Sequence, residues 1–82
     1  MPRQPGSLSP AEARILQALN HGGMLTERQI KISASLTAWT THQAISNLAS
    51  RSLIVTGARP GRYEITRLGR NTLAARAPGY AR

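Results

Sequence analysis

From Thr37 to Arg51 the chain reads Thr-Ala-Trp-Thr-Thr-His-Gln-Ala-Ile-Ser-Asn-Leu-Ala-Ser-Arg. Thr41, Ala44, Ile45 and Leu48 recur at three- and four-residue intervals and make one apolar stripe of a helix. The opposite face holds Trp39, Thr40, His42, Gln43, Ser46, Asn47 and Ser50, with Ala38 at its start. It carries no acid and many short hydrogen-bonding side chains, which suit base edges and phosphate oxygens. Gln43 and Asn47 stand four residues apart, so they share a face. Their amides can donate to and accept from adenine together. Trp39 can pack on a sugar-phosphate strand or a thymine methyl, or else cover the turn before the helix. The bland alternative for the whole face is neutral, solvated helix surface.

The charge balance favours the first reading. Eleven Lys and Arg face three Glu and no Asp, a net charge of +8. Such a balance implies a polyanionic partner, most often nucleic acid. Ten of the eleven cations are Arg, whose fork binds phosphate and guanine in a bidentate way. Arg59, within the Gly57-Ala-Arg-Pro-Gly61 loop, and Arg62, just after it, make a basic tip and are candidates for phosphate or minor-groove contact. Arg28 and Lys31, one helix earlier, are candidates for the flanking phosphates. Arg51, Arg67 and Arg70 are left as solvated charges or as contributors to the field.

These residues need elements to hold them. Ser9-Pro-Ala-Glu12 is a capping box with proline at the first helical position, and predicts a helix from Pro10 to about Asn20, stopped by Gly22 and Gly23. Its apolar stripe is Ala11, Ile15, Leu16 and Leu19. Met24-Leu25 is a short apolar step. Thr26-Glu-Arg-Gln29 is a second capping box, opening a helix from Glu27 to about Ala34 with Ile30 and Ala34 inward. Ser35-Leu36-Thr37 is a tight connection, and Thr37 caps the third helix. Two helices joined this closely form a helix-turn-helix. Leu53-Ile-Val-Thr56 and the alternating Arg62-Tyr-Glu-Ile-Thr66 predict a hairpin around the loop. Thr66 can cap a last helix from Arg67 to about Ala77, with Leu68, Thr72 and Leu73 inward.

The chain has 82 residues, enough for one small domain. Residues 1–7 read as a disordered arm carrying Arg3, residues 8–77 as the domain and residues 78–82 as a flexible tail. Cysteine is absent, which excludes disulfides and thiolate metal sites. No apolar run approaches the roughly 20 residues of a membrane span. With no signal peptide visible, a cytoplasmic protein associated with the nucleoid is expected. His21 and His42 are lone, the three Glu fall on different elements, and no glycine-rich loop follows a strand. Neither catalysis nor a metal or other cofactor is therefore expected.

The order helix, helix, recognition helix, two-stranded wing, helix resembles a winged helix-turn-helix domain. In detail the chain is similar to transcriptional regulators of the MarR type. Leu25-Thr26 opens the second helix as in that family. Ile30, the turn Ser35-Leu36-Thr37, then Thr40, Ile45 and Leu48 follow in register. Ser52-Leu53-Ile54-Val55 stands where the family has a Gly-Leu-Val-like strand, with Ser52 in place of the preferred Gly. Thr66-Arg67-Leu68-Gly69-Arg70 matches the family's pattern after the wing. The wing lacks the family's Asp-Arg-Arg run, and Ala38 and Trp39 stand where members often carry Arg.

The resemblance implies an α+β, mostly α fold: a three-helix core, a two-stranded β wing and a C-terminal helix. It implies sequence-specific double-stranded DNA binding, with residues 38–51 in the major groove and the wing, 57–62, on the backbone or minor groove. The alternative is a winged-helix adaptor between proteins of a transcription or replication complex. Regulators of this type pair across a palindrome. Here the flanking helices that build that pair look missing or cut short, and the spare apolar surface is Leu68, Leu73 and Ala74. A weak homodimer, formed on DNA if not before, is expected.

Overall fold

The computed structural model describes residues 8–57 and 59–76. The expected arm and tail, with Arg3 and Ala77, lie outside them. The elements run α1 (Pro10–Gly22), β1 (Leu25–Thr26), α2 (Glu27–Ala34), α3 (Ala38–Ser50), β2 (Ile54–Thr56), β3 (Arg62–Ile65) and α4 (Arg67–Arg76).

The caps set the helix starts. The Glu12 N–H donates to Ser9 Oγ at 3.1 Å, and Glu12 Oε1 accepts from the Ser9 N–H at 3.0 Å. Thr26 and Gln29 repeat the box at 3.1 and 2.9 Å. α1 ends two residues later than its polar sequence suggests. Gly22 stays helical, and only Gly23, at φ 77°, breaks the ladder.

α2 and α3 end alike. The Leu36 N–H reaches back to the Lys31 carbonyl at 3.0 Å, and the Leu53 N–H to the Leu48 carbonyl at 2.9 Å. Before each leucine stands a serine in the left-handed region, Ser35 at φ 57° and Ser52 at φ 62°. Both ends are Schellman motifs, with an apolar residue folded back on its own helix. Glycine is the usual occupant of the left-handed position.

The sheet has three strands, not two, in the order β1-β3-β2. Leu25 lies opposite Tyr63 and Thr26 opposite Arg62, so the apolar step before α2 is an edge strand on the wing. Two residues are too few to show alternation, and their partner lies far along the chain. On the other side Ile54 pairs with Ile65 on the inner face, and Val55 with Glu64 on the outer. All strand pairs are antiparallel.

The core gathers Ile15, Leu16 and Leu19 of α1, Ile30 and Ala34 of α2, and Ala44, Ile45 and Leu48 of α3. Leu53, Ile54, Ile65 and Leu73 complete it, and Leu36 packs against it half-buried. Each buried Leu or Ile among them contributes about 1.5–3 kcal/mol. α4 differs from expectation in its rotation. Leu68 is 51% exposed. Gly69 is buried instead, because it seats against the Leu53 carbonyl, where any Cβ would overlap that oxygen. Gly69 and Leu73 are therefore the inward pair, and Leu68 is about 100° away from Gly69 at 3.6 residues per turn.

Thr66 joins the two halves of the fold. Its hydroxyl donates to the Ser52 carbonyl at 2.7 Å and accepts from the Gly69 N–H at 2.9 Å. Its own N–H donates to the Leu53 carbonyl at 3.0 Å. One threonine thus caps α4 and ties it to the exit from α3.

A left-handed conformation costs a non-glycine residue about 1–2 kcal/mol, part of which glycine gives back through unfolded-chain entropy. Ser52→Gly should therefore raise unfolding stability by about 0.5–1 kcal/mol. A urea titration in which the variant is no more stable than the parent would contradict the strain assigned here.

Candidate nucleic-acid interface

α3 is built from its cap. Thr37 Oγ1 accepts from the Thr40 N–H at 3.1 Å and donates to Thr40 Oγ1 at 2.9 Å. The Thr41 hydroxyl, fully buried, donates to the Thr37 carbonyl at 2.7 Å. These bonds and the buried Ala44, Ile45 and Leu48 fix the rotation of the helix. Trp39, at 70% exposure, and His42, Gln43, Ser46, Asn47 and Ser50 all face solvent, as does Ala38. Trp39 does not cover the turn before it. Gln43 is outward and Ala44 inward, the rotation that an adenine-reading pair requires. Thr40 is half-buried with its hydroxyl engaged by Thr37, so it offers less to a ligand than its neighbours. The Ser50 hydroxyl donates to the Asn47 carbonyl at 2.9 Å, which leaves the Asn47 amide out of that bond.

α2 borders the N-terminal end of this face. Arg28 is exposed and Lys31 half-buried. With Glu27, Ala38 and Thr41 they line a shallow cleft between α2 and the start of α3. His42 Nδ1 lies 3.5 Å from Glu27 Oε2, a contact between two well-exposed side chains. At that exposure the pair contributes little to stability. It does place the one acid of α2 beside the outward face of α3.

The wing brings Arg59 and Arg62 together through its backbone. The Arg62 N–H donates to the Arg59 carbonyl at 3.2 Å, and the Gly57 N–H to the Arg62 carbonyl at 2.6 Å. Gly61, at φ 80°, makes the bend between them. Arg59 is exposed in the loop, whereas Arg62 begins the central strand and is half-buried.

Arg51 takes a role that the sequence did not show. Its Nη1 lies 3.4 Å from Glu12 Oε1, with the carboxylate side chain 5% exposed and the guanidinium side chain 31% exposed. The same oxygen accepts from the Ser9 N–H, so the pair links the start of α1 to the end of α3. Glu12 and Arg51 are 39 positions apart, and no local pattern signals their meeting. Among the described residues no three His, Cys, Asp or Glu gather to hold a metal ion, and no helix is long and apolar enough to cross a membrane.

No protein-family model matches the chain, and no curated protein does. Solved structures do. A MarR family transcriptional regulator from Silicibacter pomeroyi DSS superposes with a TM-score of 0.82 at 25% identity, over 90% of this chain and 51% of that one. BpsR of Bordetella bronchiseptica, whose DNA binding is regulated by 6-hydroxynicotinic acid, superposes with a TM-score of 0.80 at 20% identity, over 93% of this chain and 61% of its own. The chain thus spans between half and two thirds of the length of these two proteins.

Trp39 is the only tryptophan and stands clear of the core. Its fluorescence should match that of tryptophan in water and be quenched freely by iodide. A blue-shifted, unquenched emission would mean that the start of α3 is covered.

Proposed function

We propose that this chain, which has the winged-helix fold of MarR family regulators, binds double-stranded DNA in a sequence-specific way as a small transcriptional regulator. α3 enters the major groove, and the wing lies on the backbone or in the minor groove. The observation that carries the reading is the outward face of α3. It carries no acid of its own, is rich in amides and hydroxyls, and adjoins Arg28 and Lys31 across the cleft at its start, where Glu27 lies against His42. A solvated helix of a soluble domain usually carries Glu and Lys there instead. The reading is of a binding protein rather than an enzyme, acting in the cytoplasm on the nucleoid. A protein-protein adaptor would draw on the exposed Ile32 and Leu68, but a chain of net charge +8 suits a polyanion better.

Discrimination and affinity divide between the two parts. Gln43 and Asn47 read base edges, with His42, Ser46 and Trp39 completing the footprint. The wing arginines meet a backbone that is nearly the same at every sequence. Gln43→Ala or Asn47→Ala should weaken binding to the true site by about 1–3 kcal/mol and leave random DNA nearly unchanged. Arg59→Ala and Arg62→Ala should weaken both, each lowering the salt slope by about 0.9. Titrations on both duplexes at several salt concentrations separate the two. An unchanged specific-to-random ratio in the α3 variants would remove base reading from this face.

One recognition helix addresses too few base pairs for a genomic site, so two copies pair on a palindrome. Leu73 belongs to the core, which leaves Leu68 and Ala74 as the apolar surface of α4. So small a surface supports only a weak dimer, formed on DNA. Sedimentation should show two copies on a palindromic duplex and one copy without DNA. One copy on every duplex would exclude the pairing.

A further inference from the structure

The chain carries more positive charge than the proposed interface uses. Arg51 is tied to the buried Glu12 at 3.4 Å. Arg67 and Arg70 are exposed in the first turn of α4. The close contacts of basic side chains with carboxylates found among the described residues are those of Arg51 and His42, and neither involves α4. The two arginines have a fixed address. Thr66, next to Arg67, is held to Ser52 and Leu53 at the exit of α3 by bonds of 2.7 and 3.0 Å. The Arg70 N–H donates back to the Thr66 carbonyl at 2.9 Å. Their direction is fixed too. Gly69 is pressed against the Leu53 carbonyl and Leu73 lies in the core. Arg67 therefore stands about 200° around the helix from Gly69, and Arg70 about 100°. Both turn away from the core.

α3 has 13 residues and is about 20 Å long at 1.5 Å per residue. The major groove is about 12 Å wide. A helix of that length, lying across the groove, carries its ends out toward the phosphates that border it. The N-terminal end of α3 adjoins the cleft that holds Arg28 and Lys31. The C-terminal end is tied, through Ser52 and Leu53, to Thr66 at the cap of α4. We infer that Arg67 and Arg70 are a second backbone clamp: they contact phosphates at the C-terminal end of α3, opposite the flanking-phosphate contacts expected of Arg28 and Lys31. The inference rests on the DNA-binding reading above and adds contacts that neither the wing nor α3 supplies. Arg51, though nearer to α3 in sequence, is not among them, because Glu12 holds it.

The test compares the parent, the Arg67→Ala/Arg70→Ala double variant, the Arg67→Lys/Arg70→Lys double variant and the Arg59→Ala/Arg62→Ala double variant. Each is titrated with one specific and one random duplex over a range of salt. The alanine pair on α4 should lower the salt slope by about 1.8 and weaken binding to both duplexes on the order of tenfold or more at 0.1 M salt. The lysine pair should regain most of the slope, since it keeps the charge. Melting should stay at the parental temperature or above it, because cations at a helix N-terminus do not stabilise the helix. A parental slope in the alanine pair, beside a lowered slope in the wing variant, overturns the clamp and leaves the DNA reading standing. A loss confined to the specific duplex also overturns it, because backbone contacts do not depend on sequence. If the parent itself shows no salt-dependent binding, the DNA reading falls and the clamp with it.

Discussion

The buried stripe of Thr41, Ala44, Ile45 and Leu48 is the constraint on which the rest depends. It sets the rotation of α3 against α1 and α2. Everything outward follows from it: the amides at Gln43 and Asn47, the indole of Trp39, the imidazole of His42. Thr41 is the polar member of the stripe. Its hydroxyl is satisfied by the Thr37 carbonyl one turn back, so its burial leaves no unpaired group.

The ends of α3 are fixed as firmly as its face. Thr37 closes one, and a Schellman turn through Ser52 and Leu53 closes the other. Around that second end the charges are sorted. Arg51 sits where the C-terminal partial charge of α3 favours a cation, and Glu12 where the N-terminal partial charge of α1 favours an anion. A strongly basic domain thus spends one of its three carboxylates inside, where breaking the pair would strand a charge. The exposed basic residues are left for the surface.

Much of this was legible in the sequence because caps and stripes are local. Ser9, Thr26 and Thr37 announce their helices by residue type, and α2 runs over the residues its capping box and apolar pair imply. The outward face of α3 could be read because exposure is the complement of the stripe. What was not legible depends on contacts between distant segments. β1 has two residues and takes its meaning from β3. Leu68 falls at a plausible inward spacing, but the close approach of Gly69 to Leu53 decides the rotation of α4. Within the candidate interface, the contact of His42 with Glu27 and the engagement of Thr40 by Thr37 depend on side-chain geometry that spacing alone does not determine.

The pairing of β1 with β3 has a consequence for how the domain forms. Thr26 is at once the last residue of an edge strand and the cap of α2. The partner of β1, β3, is made only after α2, α3 and β2, so the sheet closes a loop around the whole helix-turn-helix. Closing it costs entropy that local helix contacts cannot offset early. Two regions that look like separate modules, the helix-turn-helix and the β wing, are therefore joined at one residue.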